Sequence, residues 1–131
     1  MGALVSQSQR DDVRKKVVEL SEQADIVFGD PLTLDSVGAD NKTGAFMSPI
    51  LLRCNTPWDA PKIHSVEAFG PVSTLMPYKD LDDAVRLCNE GLGSLVMSLF
   101  TYDPEVARAI VMGSASFHGR IAMINLSLIH I

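Results

Sequence analysis

The sequence has few of the residues that would assign it to a specialised class of protein. Its 131 residues include two cysteines, one tryptophan and 11 basic side chains against 16 acidic ones. Cys54 and Cys88 match neither a disulfide framework nor the spacing of a zinc site. The net charge of -5 argues against nucleic-acid binding, because phosphate contacts need clustered basic side chains.

Long apolar runs and familiar catalytic motifs are missing as well. No apolar run approaches the ~20 residues that span a membrane, and no secretory leader is visible. The sequence contains no GxGxxG, P-loop, HExxH or GxSxG pattern. With so few cysteines, these absences predict a cytoplasmic protein that has no membrane, nucleic-acid or metal partner.

What is present is an alternation of capped helices and short apolar strands. Helices are predicted over residues 7–23, 81–91 and 104–117, and strands over 24–30, 49–54, 72–78, 95–101 and 119–125, with a loop from 30 to 48. Ser6 and Gln9 form a capping box, while Asp80 and Asp103 are N-caps of the later helices. The strand at 95–101 is almost wholly apolar, which is typical of a sheet covered on both faces. The alternation predicts an α/β fold with a largely parallel sheet.

Two of the helices have predicted apolar faces. The faces consist of Val13, Val17, Val18 and Leu20 in the first helix and of Leu81, Ala84, Val85 and Cys88 in the second. Cys88 is therefore expected in the core. His118 follows the third helix, where it can interact with the negative end of the helix dipole.

Cys54, His64 and Glu67 are the residue types of a nucleophile, a base and an orienting acid. They would suit a cysteine hydrolase, but spacing along the chain does not establish geometry. A cysteine at the end of an apolar strand is commonly buried and inert. We therefore treat the hydrolase as the lesser alternative.

The stretch HSVEAFGPV, residues 64–72, places an acid and an aromatic directly before a rigid Gly-Pro step. The restricted backbone holds Glu67 and Phe69 in set directions. The carboxylate can accept two hydrogen bonds from a vicinal diol such as a ribose, and the aromatic ring can pack against a flat heterocycle. The alternative is a turn that leads into a strand, with Phe69 in the core and Glu67 in solvent. The residues alone favour neither.

Five stretches in this order resemble the aldehyde dehydrogenase superfamily across residues 1–125. They are MGALVS, GAFMSPILL, VEAFGPVSTL, LDDAVRLCNEGLGSLVMSLFT and HGRIAMIN. In the family's Glu-x-Phe-Gly-Pro motif, the Glu binds the nicotinamide ribose hydroxyls and the Phe borders the nicotinamide. The resemblance therefore implies that Glu67 and Phe69 bind NADP or NAD. It also implies that residues 1–125 are the C-terminal part of a three-layer αβα catalytic domain.

Variants within HGRIAMIN, EAFGPV and GLGSL resemble one branch, the bifunctional ring-opening enzymes of phenylacetyl-CoA catabolism. These enzymes join an NADP-dependent semialdehyde dehydrogenase to an oxepin-CoA hydrolase. The branch implies a CoA-thioester semialdehyde as the aldehyde substrate, oxidised to the acid through a cysteine thiohemiacetal, and a homo-oligomeric intact enzyme.

The resemblance also implies that the family's nucleophilic cysteine and general-base glutamate precede residue 1. Cys54 and Cys88 align with neither. We therefore expect this chain to be inactive without the rest of its catalytic domain. A non-catalytic α/β fragment or binding module is the alternative. The last six residues, LSLIHI (126–131), also match the translation of a common transposase sequencing adapter, so we expect them to be a non-native read-through tail.

Overall fold

The computed structural model describes residues 3–125, and the predicted read-through tail lies outside them. The chain divides after Pro77 into two compact units, which we call unit 1 (residues 3–77) and unit 2 (residues 78–125). No helix within the described range is both long enough and apolar enough to cross a membrane.

Unit 1 contains a three-stranded sheet and two α-helices. Its elements are α1 (Gln7–Leu20), β1 (Asp25–Phe28), β2 (Ile50–Arg53), α2 (Pro61–Ser65) and β3 (Val72–Leu75), with a 3₁₀ turn at Pro57–Asp59. In the order β1-β2-β3, β1 and β2 are antiparallel and β2 and β3 are parallel. The short helix α2 falls in a segment for which the sequence predicted neither a helix nor a strand. Pro61 occupies its first turn, where a missing N–H costs nothing.

The core of unit 1 forms between α1 and the sheet. Its buried members are Val13, Val17, Leu20, Met47, Ile50 and Leu52. The prediction that Val18 belongs to this face is wrong, because Val18 is 61% exposed and lies about 100° around the helix from Val17. The predicted end of α1 at Gln23 is also three residues late. The Ser21 hydroxyl donates to the carbonyl of Val18 at 2.7 Å, which satisfies an acceptor in the last turn.

Unit 2 pairs two helices with a two-stranded parallel sheet. Its elements are α3 (Leu81–Glu90), β4 (Met97–Phe100), α4 (Pro104–Ser114) and β5 (Ile121–Ile124), with a 3₁₀ turn at Ala115–Phe117. The predicted caps are confirmed, since Asp80 accepts from the backbone amide of Asp83 and Asp103 from that of Glu105. Because β2–β3 and β4–β5 are both parallel, the predicted α/β class with mainly parallel pairing is confirmed.

Two expectations for unit 2 are wrong. The buried residues of α3 are Ala84 and Leu87, whereas Cys88 is only half-buried. The apolar face is therefore centred one position earlier than predicted. The second error concerns β4: among the described residues it is not covered on both faces, because the face formed by Ser98 and Phe100 is exposed.

Candidate functional site

The segment before β3 turns one polar and one aromatic side chain outward together. Val66 and Ala68 pack against the core of unit 1, whereas Glu67 is exposed and Phe69 is 72% exposed. Alternate side chains of an extended segment point to opposite faces. Glu67 and Phe69 therefore lie next to each other on the outer face. The alternative that buries Phe69 in the core does not hold in unit 1.

Short hydrogen bonds fix the backbone immediately after this pair. The amide of Gly70 donates to the carbonyl of Ala68 at 2.7 Å, and the amide of Val72 donates to the carbonyl of Gly70 at 2.8 Å. The carbonyl of Pro71 accepts from the amide of Ile50 at 2.8 Å, which joins the segment to the β2–β3 ladder. The Gly-Pro step is thus held on both sides, as its limited backbone freedom predicted.

Helix α1 contacts the same segment through Gln9 and Val13. The side-chain amide of Gln9 donates through Nε2 to the carbonyl of Phe69 at 2.9 Å. One turn further along α1, Val13 lies so close to Gly70 that an added Cβ would be 2.8 Å from Val13 Cγ2. Only glycine fits at that approach without displacing a buried valine. The segment therefore rests on α1 through one hydrogen bond and one close packing contact.

The two outward side chains line an open cleft of about 450 Å³. Its lining residues are Leu4, Gln9, Glu67, Ala68, Phe69 and Gly70. Among residues 3–125, no hydrogen bond or ion pair engages the Glu67 carboxylate, so both of its oxygens can accept hydrogen bonds from a ligand. The described residues hold no group of three or more side chains that could bind a metal ion.

The hydrolase residues are not brought together. The Cys54 side chain is buried, at 1% exposure, which denies a substrate access to its thiol. The ring of His64 is bound elsewhere, with Nε2 2.8 Å from the carbonyl oxygen of Pro57. In the described part of the chain, no hydrogen bond joins Cys54 to His64. The structure therefore gives no support to a catalytic set of Cys54, His64 and Glu67.

The contacts of the two other candidates, Cys88 and His118, fit structural rather than catalytic roles. Burial raises the pKa of the Cys88 thiol, which favours the unreactive neutral form. His118 Nδ1 lies 2.8 Å from the hydroxyl of Ser94, and these residues also pair their backbones in parallel. The contact with Ser94 fixes the His118 ring, and its interaction with the helix dipole stays a prediction.

Gln9 is the member of the site that the sequence did not reveal. The capping box predicted its backbone contact with Ser6, and the Ser6 hydroxyl does accept from the Gln9 amide at 3.1 Å. Its side chain also reaches back to the start of the helix, where Oε1 accepts from the backbone amide of Val5 at 3.0 Å. The structure adds a contact with Phe69, 60 residues away. No local pattern signals a partner at that distance.

Comparison with known proteins decides the family. A model of the aldehyde dehydrogenase family matches residues 1–121. The chain belongs to the aldehyde dehydrogenase family. Protein MaoC of Klebsiella aerogenes is 43% identical over 125 residues, which are 95% of this chain and 36% of that protein. The 3,4-dehydroadipyl-CoA semialdehyde dehydrogenase of Aromatoleum evansii is 37% identical over 125 residues, or 95% of this chain and 24% of that enzyme. The chain thus spans about a third and a quarter of their lengths.

Solved structures show the same fold. Betaine aldehyde dehydrogenase from Staphylococcus aureus, crystallised with NAD+, matches with a TM-score of 0.77 at 24% identity, over 94% of this chain and 24% of that one. Succinic semialdehyde dehydrogenase from Streptococcus pyogenes, crystallised with NADP+, matches with a TM-score of 0.73 at 23% identity, over 92% and 24%. The α/β topology of the chain is therefore that of a part of an aldehyde dehydrogenase.

Proposed function

We propose that this chain supplies the nicotinamide-ribose part of the NAD(P) site of an enzyme that oxidises an aldehyde to the acid. The observation that carries the proposal is the pair Glu67 and Phe69, turned outward together from a backbone that is fixed on both sides. A carboxylate with two free oxygens suits the vicinal hydroxyls of a ribose, and an exposed aromatic ring suits a flat heterocycle. The cleft at these residues is open to a ligand and has a volume of about 450 Å³.

The chain's own residues would contribute positioning. Bound NAD(P) supplies the hydride acceptor. Glu67 accepts hydrogen bonds from the ribose, and Phe69 restricts the positions that the neighbouring ring can adopt, which favours a reactive geometry. The cysteine that forms the thiohemiacetal, and the glutamate that activates water, would come from the part of the relatives' length that this chain does not span. We therefore propose that the chain has no dehydrogenase activity alone.

The finer assignment is a CoA-thioester semialdehyde of phenylacetate catabolism as substrate, with NADP as cofactor and an oxepin-CoA hydrolase as companion domain. The branch-specific variants in EAFGPV, GLGSL and HGRIAMIN support it. The name of the Aromatoleum evansii relative, a CoA-semialdehyde dehydrogenase, supports the substrate class. We further propose a homo-oligomeric enzyme in the cytoplasm, a compartment that the two free thiols, Cys54 and Cys88, support.

A hybrid enzyme tests the proposal. In it, residues 3–125 of this chain replace the matching segment of the Aromatoleum evansii dehydrogenase; a second hybrid carries only residues 3–77 and serves if the first fails to fold. We expect the hybrid to reduce NAD(P) with an aldehyde substrate, followed by absorbance of the reduced cofactor. A folded hybrid that binds neither cofactor would refute the proposal and favour the non-catalytic binding module.

The substitution Glu67→Gln in the hybrid tests the residue assignment. A hydrogen bond to a charged group contributes about 1.5–3 kcal/mol, and glutamine retains one acceptor oxygen. We therefore expect the dissociation constant of the cofactor to rise about tenfold. The control is Asp12→Asn, which removes one negative charge from an exposed position on α1 outside the cleft. Equal cofactor affinities for the two variants would contradict a role for Glu67.

A further inference from the structure

Both the oxygen and the nitrogen of the Gln9 side-chain amide form hydrogen bonds. Its Oε1 accepts from the backbone amide of Val5 at 3.0 Å, and its Nε2 donates to the carbonyl of Phe69 at 2.9 Å. A backbone N–H needs an acceptor and a carbonyl needs a donor, so only this orientation of the amide satisfies both partners. The side chain therefore joins the start of α1 to the segment that bears Glu67 and Phe69.

Phe69 depends on this bond more than its neighbours do. Its ring is 72% exposed, so packing in unit 1 does little to fix its orientation. Its neighbours Ala68 and Gly70 are tied by backbone hydrogen bonds. Within the described range, the backbone N–H and C=O of Phe69 itself make one hydrogen bond, the one that the carbonyl accepts from Gln9. The peptide plane after Phe69 also contains the Gly70 amide, which donates to the carbonyl of Ala68 at 2.7 Å. The Gln9 amide thus supplies one of the two hydrogen bonds that fix how this plane is turned, and the one that ties it to α1.

We propose that Gln9 is a positioning residue for the reaction. This inference rests on the proposed function, in which Glu67 and Phe69 face the nicotinamide and its ribose. By holding the carbonyl of Phe69 against α1, Gln9 helps to fix the backbone from which Phe69 and, two residues earlier, Glu67 project. A reaction that needs aligned atoms is sensitive to shifts of about 1 Å in such groups. Gln9 acts through the backbone and is not itself a catalytic residue.

The informative substitution is Gln9→Glu in the hybrid enzyme. A glutamate keeps an oxygen for the amide of Val5 but cannot donate to the carbonyl of Phe69. Its second carboxylate oxygen would instead lie against the carbonyl oxygen of Phe69, and the two would repel. We expect the rate of hydride transfer, measured in single turnovers with protio and deuterio aldehyde, to fall about tenfold. The isotope effect should rise toward its full value, because hydride transfer becomes slower than the other steps.

Two matched controls separate positioning from helix stability. Ser6→Ala removes the cap of the same helix without touching Phe69, since the Ser6 hydroxyl accepts from Gln9 N. Gln7→Ala removes a neighbouring amide that donates to the carbonyl of Thr43 at 3.1 Å. Both should keep the parental rate of hydride transfer, even where the melting temperature of Ser6→Ala falls as far as that of Gln9→Glu. Equal hydride-transfer rates in Gln9→Glu and Ser6→Ala would overturn the inference.

Failure of this inference can be told apart from failure of the proposed function. If Glu67→Gln weakens cofactor binding and Gln9→Glu leaves hydride transfer unchanged, only the role of Gln9 falls. If Glu67→Gln also leaves cofactor binding unchanged, the assignment of the cofactor site is refuted as well. In the whole chain on its own, outside the hybrid enzyme, NMR should detect scalar coupling between Gln9 Nε2 and the carbonyl carbon of Phe69, transmitted across their hydrogen bond. Its absence in the folded chain would also overturn the inference.

Discussion

Replacing Gly70 with alanine tests how closely the segment that carries Glu67 and Phe69 packs on α1. The new Cβ would lie 2.8 Å from Val13 Cγ2 and 3.0 Å from Val13 Cγ1. Both distances are shorter than an ordinary van der Waals contact. Val13 is fully buried, at 0% exposure, and its branched side chain has little rotational freedom. The segment must therefore move away from the helix.

The size of the effect follows from two opposing terms. Overpacking in a well-packed core costs about 1–3 kcal/mol. Gly70 is not among the residues with positive φ, so alanine adds no backbone strain and stabilises by about 0.4–1 kcal/mol through the unfolded state. We expect the free energy of unfolding to fall by about 1–2 kcal/mol. Val13→Ala removes the two methyl groups involved, at a cost of about 2 kcal/mol for lost burial and cavity formation.

The double variant Gly70→Ala/Val13→Ala isolates the contact. Once the methyl groups of Val13 are gone, the Cβ of Ala at position 70 has room, so the double variant should be about 1–2 kcal/mol more stable than the sum of the single effects. The assay is urea unfolding followed by tryptophan fluorescence. Trp58 is the sole tryptophan of the sequence and belongs to unit 1, so its signal reports the unit that contains the contact.

Additive effects would refute this reasoning. A coupling energy below about 0.5 kcal/mol is what independent sites show. It would mean that Gly70 and Val13 do not touch in solution. A Gly70→Ala variant as stable as the parent would lead to the same conclusion.

Two further predictions concern titratable groups. In the folded chain, Cys54 (1% exposed) and Cys88, whose pKa burial raises, should both react with iodoacetamide much more slowly than in urea, as mass spectrometry can measure; a fast-reacting Cys54 would revive the hydrolase alternative. The hydroxyl of Thr33, followed by the backbone amide of Leu32, holds the pKa of Asp30 below its ordinary value of 3.8. Asp30 therefore stabilises the fold above its unfolded-state pKa and loses that contribution as pH falls through its lowered folded-state pKa. Asp30→Asn should lower the urea midpoint at neutral pH but not well below pH 3.8, and an unchanged midpoint at neutral pH would contradict this.

Local chemistry accounts for the parts of the fold that could be predicted. Each predicted N-cap, at Ser6, Asp80 and Asp103, accepts from its own helix, because capping depends on residues within one turn. The helix faces were less certain. Cys88 was placed in the core in place of Leu87, since both are apolar and adjacent, and only tertiary packing distinguishes them. The exposed Phe100 likewise shows that an apolar strand does not by itself reveal what covers it.

The residues of the candidate site could be predicted from the sequence, but the contact that holds them in place could not. Glu67 and Phe69 stand together in a stretch whose Gly-Pro step restricts the backbone, so the sequence indicated that both could be held outward. The structure contradicts the alternative that buries Phe69 in the core, because its ring is 72% exposed, and the binding of NAD(P) by this pair stays a prediction. The contact from Gln9 could not be foreseen, because it joins residues 60 positions apart and depends on where α1 packs.

The two supports of the segment share one helix face, which connects its stability to its proposed function. Gln9 and Val13 are four residues apart on α1, so their side chains lie on the same side and meet the adjacent residues Phe69 and Gly70. A Cβ at Gly70 that moves the segment away from Val13 should therefore also lengthen the Gln9–Phe69 hydrogen bond. In the hybrid enzyme, Gly70→Ala should slow hydride transfer, and adding Val13→Ala should restore the rate as the segment settles back. Recovery of stability without recovery of rate would mean that the two contacts act independently.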